Sequence, residues 1–392
     1  MPCFSGTASL SQVKRAPGER SVILLFTFPE PLPMDRARGI QVVHSIAALG
    51  KAGINVDFSF VPTGTDPFTY YGVVQPANVR VIPISRSLPW PLQRIHSNRL
   101  YAARLNGFID LATVPVMLRH LKLAAWLAVH PARPHFIYEA HEVFADTAPK
   151  KHVDTRRAEE ARVIARAAAV ITNSEATANR LTELYGKPER LEVIPNGVMR
   201  PDEVDEKDWK NARHHIIYSG SLFPWKGVAD LVSAGAGLTG YEIDIVGGDG
   251  QRIKELRAVV SKNGARINFL GHLAHEEVMI KLQTACIAVI PNRAETDSRF
   301  TSPIKLFEYM AAGCAIVASD LPALREVIGQ DDVVWTRPGD PKSIKDAITS
   351  LAEDPVLARE LGRRVREKSK RFTWDSRAER IRDILVAMNL SE

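Results

Sequence analysis

A chain of 392 residues, 45% hydrophobic and 24% charged, has the composition of a soluble globular protein and the length for two domains with separate cores. No segment approaches the roughly 18 uninterrupted apolar residues of a membrane span, and a net charge of +6 is too modest to argue for a nucleic-acid partner. The scattered cysteines Cys3, Cys286 and Cys314 suit reduced thiols, two of them in apolar runs, rather than a disulfide framework or a zinc site.

The opening stretch "MPCFSGTASLSQVKRAPGERS" lacks an apolar core ahead of its charges. Residues 1–20 therefore read as a flexible lead-in rather than a secretory signal, and a cytoplasmic location is expected. "SVILLFTF" (21–28) is a short apolar run and predicts a buried strand. A proline-rich loop, "PEPLPMDRARG", leads to a predicted helix, "IQVVHSIAALGKAG", and "INVDFSF" alternates as a second strand, completing a β-α-β unit.

Between Ser85 and His135 the basic residues Arg86, Arg94, Arg99, Arg104, Arg119, Lys122 and Arg133 meet a single acid, Asp110. The same segment carries Trp90, Trp126 and the apolar stretches "IDLATVPVML" and "LKLAAWLAV". Two readings stay open here: a basic, tryptophan-bearing surface for peripheral contact with an anionic membrane or acceptor, or a pair of packed helices with solvated arginines. "HFIYEAHEVF", "AAVITNSEATANRLTELYG" and "LEVIPNGV" then repeat the strand-helix theme, with Ser174 as helix N-cap and Gly186 as helix end.

The charged stretch "RPDEVDEKDWKNAR" (200–213) is poor in aliphatics and reads as a linker. After it the pattern restarts, from "HHIIYSGS" through "GVADLVSAGAGL", "YEIDIVGG", "GQRIKELRAVVSKNG", "RINFLGH", "AHEEVMIKLQTA" and "IAVIPN" to "AIVAS". The expected class is α/β, with two doubly wound, Rossmann-like domains facing each other across a cleft. Their bounds are 21–199 and 214–370, followed by an amphipathic helix in 371–392 that packs back toward the first domain.

Two lysines stand at helix starts. In "YSGSLFPWKGVADLV" (218–232) a strand ends at Tyr218, Ser219, Gly220 and Ser221 turn the chain, and Lys226 with Gly227 opens a helix. In "FTSPIKLFEYMAAG" (300–313) Ser302 reads as N-cap, Pro303 as the first helical residue and Lys305 as a cation in the first turn. A helix N-terminus is already positive, so a cation there is locally unfavourable unless an anion lies in front of it. Two such turns in one domain predict a diphosphate site. Glu308 is expected on the edge of the apolar stripe formed by Ile304, Phe307, Met310 and Ala311, placed to accept bonds from ribose hydroxyls. Spacing alone does not separate this from an ordinary helix-edge glutamate.

"PIKLFEYMAAGCAIVASDLPALREVI", "YSGSLFPWKGV", "VIPNGV", "VITNSEA" and "YEAHE" resemble the signature stretches of family 4 glycosyltransferases, retaining enzymes of the GT-B fold. The resemblance spans about residues 20 to 385 and is strongest in the C-terminal half. It implies a UDP- or GDP-sugar donor bound by the C-terminal domain, a saccharide or lipid-linked acceptor bound by the N-terminal domain, and a role in surface polysaccharide or glycoconjugate synthesis. No cofactor is implied, and no metal, because lysines and helix ends meet the phosphate charge.

Residue by residue, the resemblance makes Lys226 a phosphate ligand and Glu308 a ribose ligand, with amides near Thr301, Ser302, Pro303 and Ile304 on the distal phosphate. Gly247 and His272 would lie beside the base, His141 near the reacting sugar, and Arg38, Gly39, His141 and Glu142 on the acceptor side, with Gly39 also letting backbone approach the donor phosphates. Catalytic weight falls on Lys226, Glu308 and His141, although His141 could equally be a hydrogen-bonded histidine in a packed strand end. Two departures stand out. Ser221 replaces an arginine common in the family, which leaves Lys226 and Lys305 to compensate. Phe300 stands where many members have a second glutamate, and Glu295 or Asp297 could substitute for it.

Other classes fit less well. "VGGDGQRI" has Ile253 where a dinucleotide fingerprint needs its third glycine. "HEEV" (275–278) lacks the second histidine of a zinc helix. A nucleotide-sugar epimerase, a phosphorolytic enzyme on the same fold and a non-catalytic nucleotide-sugar binder remain as alternatives.

Overall fold

The computed structural model describes residues 23–88, 92, 96–200, 206–295, 298, 300 and 302–389. The lead-in 1–20, Trp90, Arg94, Asp297 and Thr301 lie outside them.

Two parallel sheets organise the chain. The first contains β1 (Ile23–Leu32), β2 (Asn55–Pro62), β3 (Val79–Pro83), β4 (Val116–Leu118), β5 (Phe136–Ala140), β6 (Ala169–Thr172) and β7 (Leu191–Val193), in spatial order β3-β2-β1-β4-β5-β6-β7. The second contains β8 (His215–Ser219), β9 (Glu242–Val246), β10 (Arg266–Gly271), β11 (Ile287–Ile290), β12 (Ala315–Ser319) and β13 (Val334–Thr336), in order β10-β9-β8-β11-β12-β13. Central strands such as β5, β6, β11 and β12 are buried along their whole length because helices cover both sheet faces, which is why they read as continuous apolar runs. Strand order reverses between β1 and β4 in one sheet and between β8 and β11 in the other. Crevices that bind ligands open beyond the carboxyl ends of strands at such reversals.

Local chemistry explains several helix ends. Ser174 Oγ accepts the Thr177 amide at the start of the Glu175–Tyr185 helix, and Gly186 leaves it at φ 79°. Asp249 caps the Gly250–Arg257 helix in the same way. The amphipathic C-terminal helix, Trp374–Asn389, crosses back to the first domain. Its Trp374, Ala378, Ile381 and Leu385 join one core with Val42, Val43 and Ile46 of the Ala37–Lys51 helix.

Several expectations are corrected. "IDLATVPVML", read as helix, contains the central strand β4. A fully buried strand lacks the alternation that separates it from a buried helix. Trp126 packs partly buried against the domain core, and Arg119 turns into the cleft, so neither contributes to a basic outer surface. Within the linker segment, residues 206–213 pack on the second domain: Lys207 is buried and donates to the carbonyls of Leu282 and Gln283 at the end of the His275–Thr284 helix. That placement answers the negative end of a helix dipole with a cation. No helix among the described residues is long and apolar enough to cross a membrane.

Candidate active site between the two sheets

A cleft of about 450 Å³ opens where the strand ends of the two sheets face each other. Its first wall comes from the N-terminal sheet: Ala37, Arg38, Gln41, Arg119, His141, Glu142, Thr147, Asn173 and Asn196. Its second comes from the C-terminal sheet: Phe223, Trp225, Lys226, Phe300, Ser302, Pro303 and Ile304. A second cavity of about 350 Å³ lies toward the C-terminal helix, and Asn173, Asn196 and Ser302 line both.

On the second wall, the turn after β8 is shaped by glycines. Gly220 has φ 131°, and a Cβ on Gly247 (φ 107°) would stand 2.3 Å from the Gly220 carbonyl oxygen. The loops after β8 and β9 can therefore touch only as glycines. Gly247 also donates to Gly271 O, which brings the exposed His272 to the same rim. Ser219 is buried, and its amide and hydroxyl both meet the Tyr309 hydroxyl. The Ser221 carbonyl accepts from Tyr218.

Lys226 ends a short 3-10 turn, Pro224–Lys226, rather than starting the helix, and its ammonium lies 3.6 Å from the Trp225 ring centroid. Gly227 follows at φ 69°, where a Cβ would come 1.8 Å from Pro291 O. Lys305 sits one layer behind this turn. Its ammonium is 3.8 Å from the Tyr218 ring centroid, has no hydrogen-bond partner among the described residues, and would be 3.2 Å from a Cβ at Gly220. Burial and the neighbouring Lys226 charge push its pKa well below the ordinary lysine value, against the pull of Glu308. Two cations thus converge on one glycine-lined turn.

The Ile304–Ala311 helix departs from expectation in two ways. Pro303, not Ser302, occupies the N-cap, and the Ser302 hydroxyl is buried without a partner while its carbonyl accepts from Asn196 Nδ2 at 2.8 Å. Every residue of the helix is buried, Glu308 included: the Pro355–Ser369 helix packs against it, the Phe307 ring meets Phe372, and Ile304 joins the core of the first domain. Glu308 Oε1 accepts from His275 Nε2 at 2.9 Å. Burial lowers the His275 pKa, but the hydrogen bond and charge of Glu308 outweigh it and the net shift is upward. His275 also faces His44 of the first domain, at 5.8 Å between ring centroids. Phe300 lines the cleft and packs with the first domain's core, and Glu295 is exposed outside the lining.

On the first wall, the reason for Gly39 is packing: a Cβ there would stand 2.0 Å from the Tyr71 hydroxyl, which itself bonds the backbone of Met34. Arg38 pairs with Glu30 at 2.5 Å, and Glu142 accepts from Thr147. His141 follows β5 and donates Nε2–H to Glu139 Oε1 at 2.7 Å. Glu139 is 1% exposed and also receives Gln41 Nε2 and the Arg377 guanidinium, while Gln41 Oε1 accepts from Arg119. Burial pushes the Glu139 carboxyl up, but Arg377, His141 and Arg119 together pull it down to about 2. Burial and Arg119 hold His141 at about 4 despite Glu139.

Sequence reasoning missed Gln41, Arg119, Glu139, His275 and Arg377. One signal was present: in "YEAHE" Glu139 and His141 are two apart, so strand alternation puts both on one face.

The histidines set a pH dependence. His44, His120 and His141 have pKa values lowered by burial to about 3, 4 and 4, whereas an unfolded histidine titrates near 6.5. Groups depressed in this way contribute stability above about pH 6.5 and lose it as pH falls toward the folded values. Each contributes up to about 1.4 kcal/mol per pH unit of that fall. His275 has the opposite sign: its contribution is complete below about 6.5 and is lost as pH rises through its raised pKa. Thermal unfolding is therefore expected to show a midpoint that is highest near neutrality and drops between pH 6.5 and 4.5; a flat profile across that window contradicts the burial of these three rings.

Comparison with known proteins agrees with this architecture. Residues 39–199 match Glycosyltransferase Family 4, and residues 213–354 match Glycosyl transferases group 1, so between them the matches cover most of the chain. The chain is 26% identical to glycogen synthase of Mycobacterium tuberculosis, over 94% of its own length and 95% of the relative's. It is 28% identical to D-inositol 3-phosphate glycosyltransferase of Acidothermus cellulolyticus, over 57% and 54%. Among solved structures, sucrose-phosphate synthase of Thermosynechococcus elongatus superposes with a TM-score of 0.73 at 19% identity, covering 95% of this chain and 100% of that one. Anabaena HepE in complex with UDP-glucose gives 0.71 at 18%, covering 93% and 99%. At such identity the structural likeness speaks for the fold alone, and the matched families carry the activity. With both halves matched in order and the two sheets arranged as in GT-B enzymes, the chain belongs to the family 4 glycosyltransferases of the GT-B fold.

Proposed function

We propose that this glycosyltransferase takes a sugar from a UDP- or GDP-linked donor and places it, with retention of anomeric configuration, on a hydroxyl of a saccharide or lipid-linked acceptor. Surface polysaccharide or glycoconjugate synthesis is the setting this chemistry serves. The observation that carries the reading is the buried Lys305 ammonium behind Gly220, which has no hydrogen-bond partner among the described residues and lies close enough to Lys226, on the cleft, for that charge to depress its pKa. Like charges at such a place are tolerable when a diphosphate neutralises them.

In this reading Lys226 and Lys305 hold the diphosphate, the amides of Ser302 and Ile304 meet the distal phosphate, and Glu308 meets the ribose. The turns at Ser219–Ser221, Gly247 and His272 border the nucleotide. Arg38, Gly39, His141 and Glu142 face the sugar and the acceptor. The bond from the anomeric carbon to phosphate oxygen breaks, its electron pair leaves with the diphosphate, and the acceptor oxygen bonds the anomeric carbon on the same face. The acceptor's proton passes to the leaving phosphate oxygen. Cations already fixed at that oxygen stabilise the charge as it develops, more in the transition state than in the ground state.

A thermal-shift panel of nucleotides and nucleotide sugars tests the reading. One nucleoside diphosphate and its sugar conjugate are expected to raise the melting midpoint, by about 2.7 kcal/mol of apparent stability at a hundredfold excess over Kd. With an acceptor, free diphosphate must appear in step with a new glycoside. A sugar isomer or sugar phosphate without that stoichiometry points to an epimerase or a phosphorolytic enzyme. Stabilisation without turnover points to a binder, and indifference to every nucleotide removes the donor site altogether.

A further inference from the structure

Glu139 is 1% exposed and lines neither of the two cavities, yet it gathers donors from three separate parts of the chain. Gln41 comes from the Ala37–Lys51 helix at 2.9 Å, His141 from the end of its own strand at 2.7 Å, and Arg377 from the C-terminal helix. All of them meet Oε1, while Oε2 is buried with no partner among the described residues. Arginine–carboxylate pairs are frequently bidentate, using both oxygens; here the three donors converge on one oxygen, the one that meets His141. Here Arg377 gives its other contacts to the carbonyls of Ile194 and Pro195, which fixes it from behind.

The consequence falls on His141. A carboxylate is an acceptor only, so the ring nitrogen facing Glu139 must carry the proton. In a neutral imidazole the other nitrogen is then a bare acceptor. His141 lines the cleft, and no hydrogen bond among the described residues uses its Nδ1.

We infer that Glu139 is a positioning residue for the transfer reaction, holding His141 as the neutral Nε2–H tautomer so that Nδ1 accepts a hydrogen bond from a substrate hydroxyl and not from, or to, a phosphate oxygen. This rests on the cleft being the site of transfer. A ring with a proton at Nδ1 would donate to phosphate and compete with Lys226 for the donor; a bare Nδ1 recognises an O–H. Burial among Arg119 and Arg377 supports the neutral state, since a cationic ring would add a third positive charge beside them.

Long-range proton–nitrogen NMR on the full chain with labelled histidine tests this without any substrate. The His141 signals, assigned by their loss in His141→Asn, are expected to show a protonated Nε2 and a bare Nδ1 at pH 7. A protonated Nδ1, or a cationic ring at that pH, overturns the inference. In Glu139→Gln the shape stays while the fixed charge goes. A Nδ1–H population is then expected to appear, and kcat to fall while the KM for the nucleotide sugar changes little. Unchanged kcat together with an unchanged tautomer also overturns it, and should the variant fail to fold, the wild-type spectrum decides alone. Because the tautomer is read in the free protein, its failure is distinct from failure of the glycosyl-transfer reading, which shows as absence of nucleotide binding.

Discussion

Lys226→Ala is expected to lower turnover by on the order of a hundredfold or more, the usual loss when one fixed donor to a developing oxyanion is removed. The lysine is the cation on the C-terminal wall of the cleft, and Ser221 stands where many family members add an arginine. Lys305 is the remaining candidate, and it sits behind Gly220 with a pKa that burial and Lys226 depress. Removing Lys226 also removes part of that depression, so Lys305 becomes easier to protonate in the variant. This compensation works on ground-state affinity: Kd for the nucleoside diphosphate is expected to weaken less than kcat falls. Steady-state kinetics on the identified donor, paired with calorimetric binding of the diphosphate, reads both. Turnover within threefold of wild type would remove Lys226 from the reaction.

Arg377→Ala is expected to destabilise the protein by about 3–5 kcal/mol, because it strips a buried carboxylate of its cation instead of removing the pair together. Arg377 and Glu139 side chains are 2% and 1% exposed. The same guanidinium also satisfies the carbonyls of Ile194 and Pro195 where the first domain ends. Arg380→Ala is the control. Its partner Glu192 lies 3.4 Å away and both side chains are nearly half exposed, so a change within about 1 kcal/mol is expected. Denaturant unfolding of both variants decides the matter. Equal, small losses would mean that the crossing helix holds by its apolar face alone, through Trp374, Ile381 and Leu385.

These two predictions rest on different kinds of legibility. Lys226 could be singled out in the sequence because a cation beside a strand-to-helix turn conflicts with the local electrostatics. Arg377 could not. It is one of several arginines in "SRAERIRD", and only the crossing of that helix to β5 distinguishes it from Arg380 and Arg382. Glu308 falls between the two: its helix and rough position were readable, whereas its burial and its bond to His275 depend on a helix more than twenty residues upstream.

The sequence by itself determined the class and the punctuation: apolar runs broken by turn residues, two rounds of strand-helix alternation, Ser174 and Gly186 at helix ends, and lysines beside two strand-to-helix turns. These are local quantities, set by periodicity, backbone freedom and charge within a few residues of each other. Only the tertiary structure decided which buried charges share a partner, why Gly39 must be glycine, that Ser302 does not cap its helix, and that "VML" (116–118) is a strand. Each of those depends on atoms that approach across the sheets or across the two domains, and a linear pattern holds no record of the distance between them.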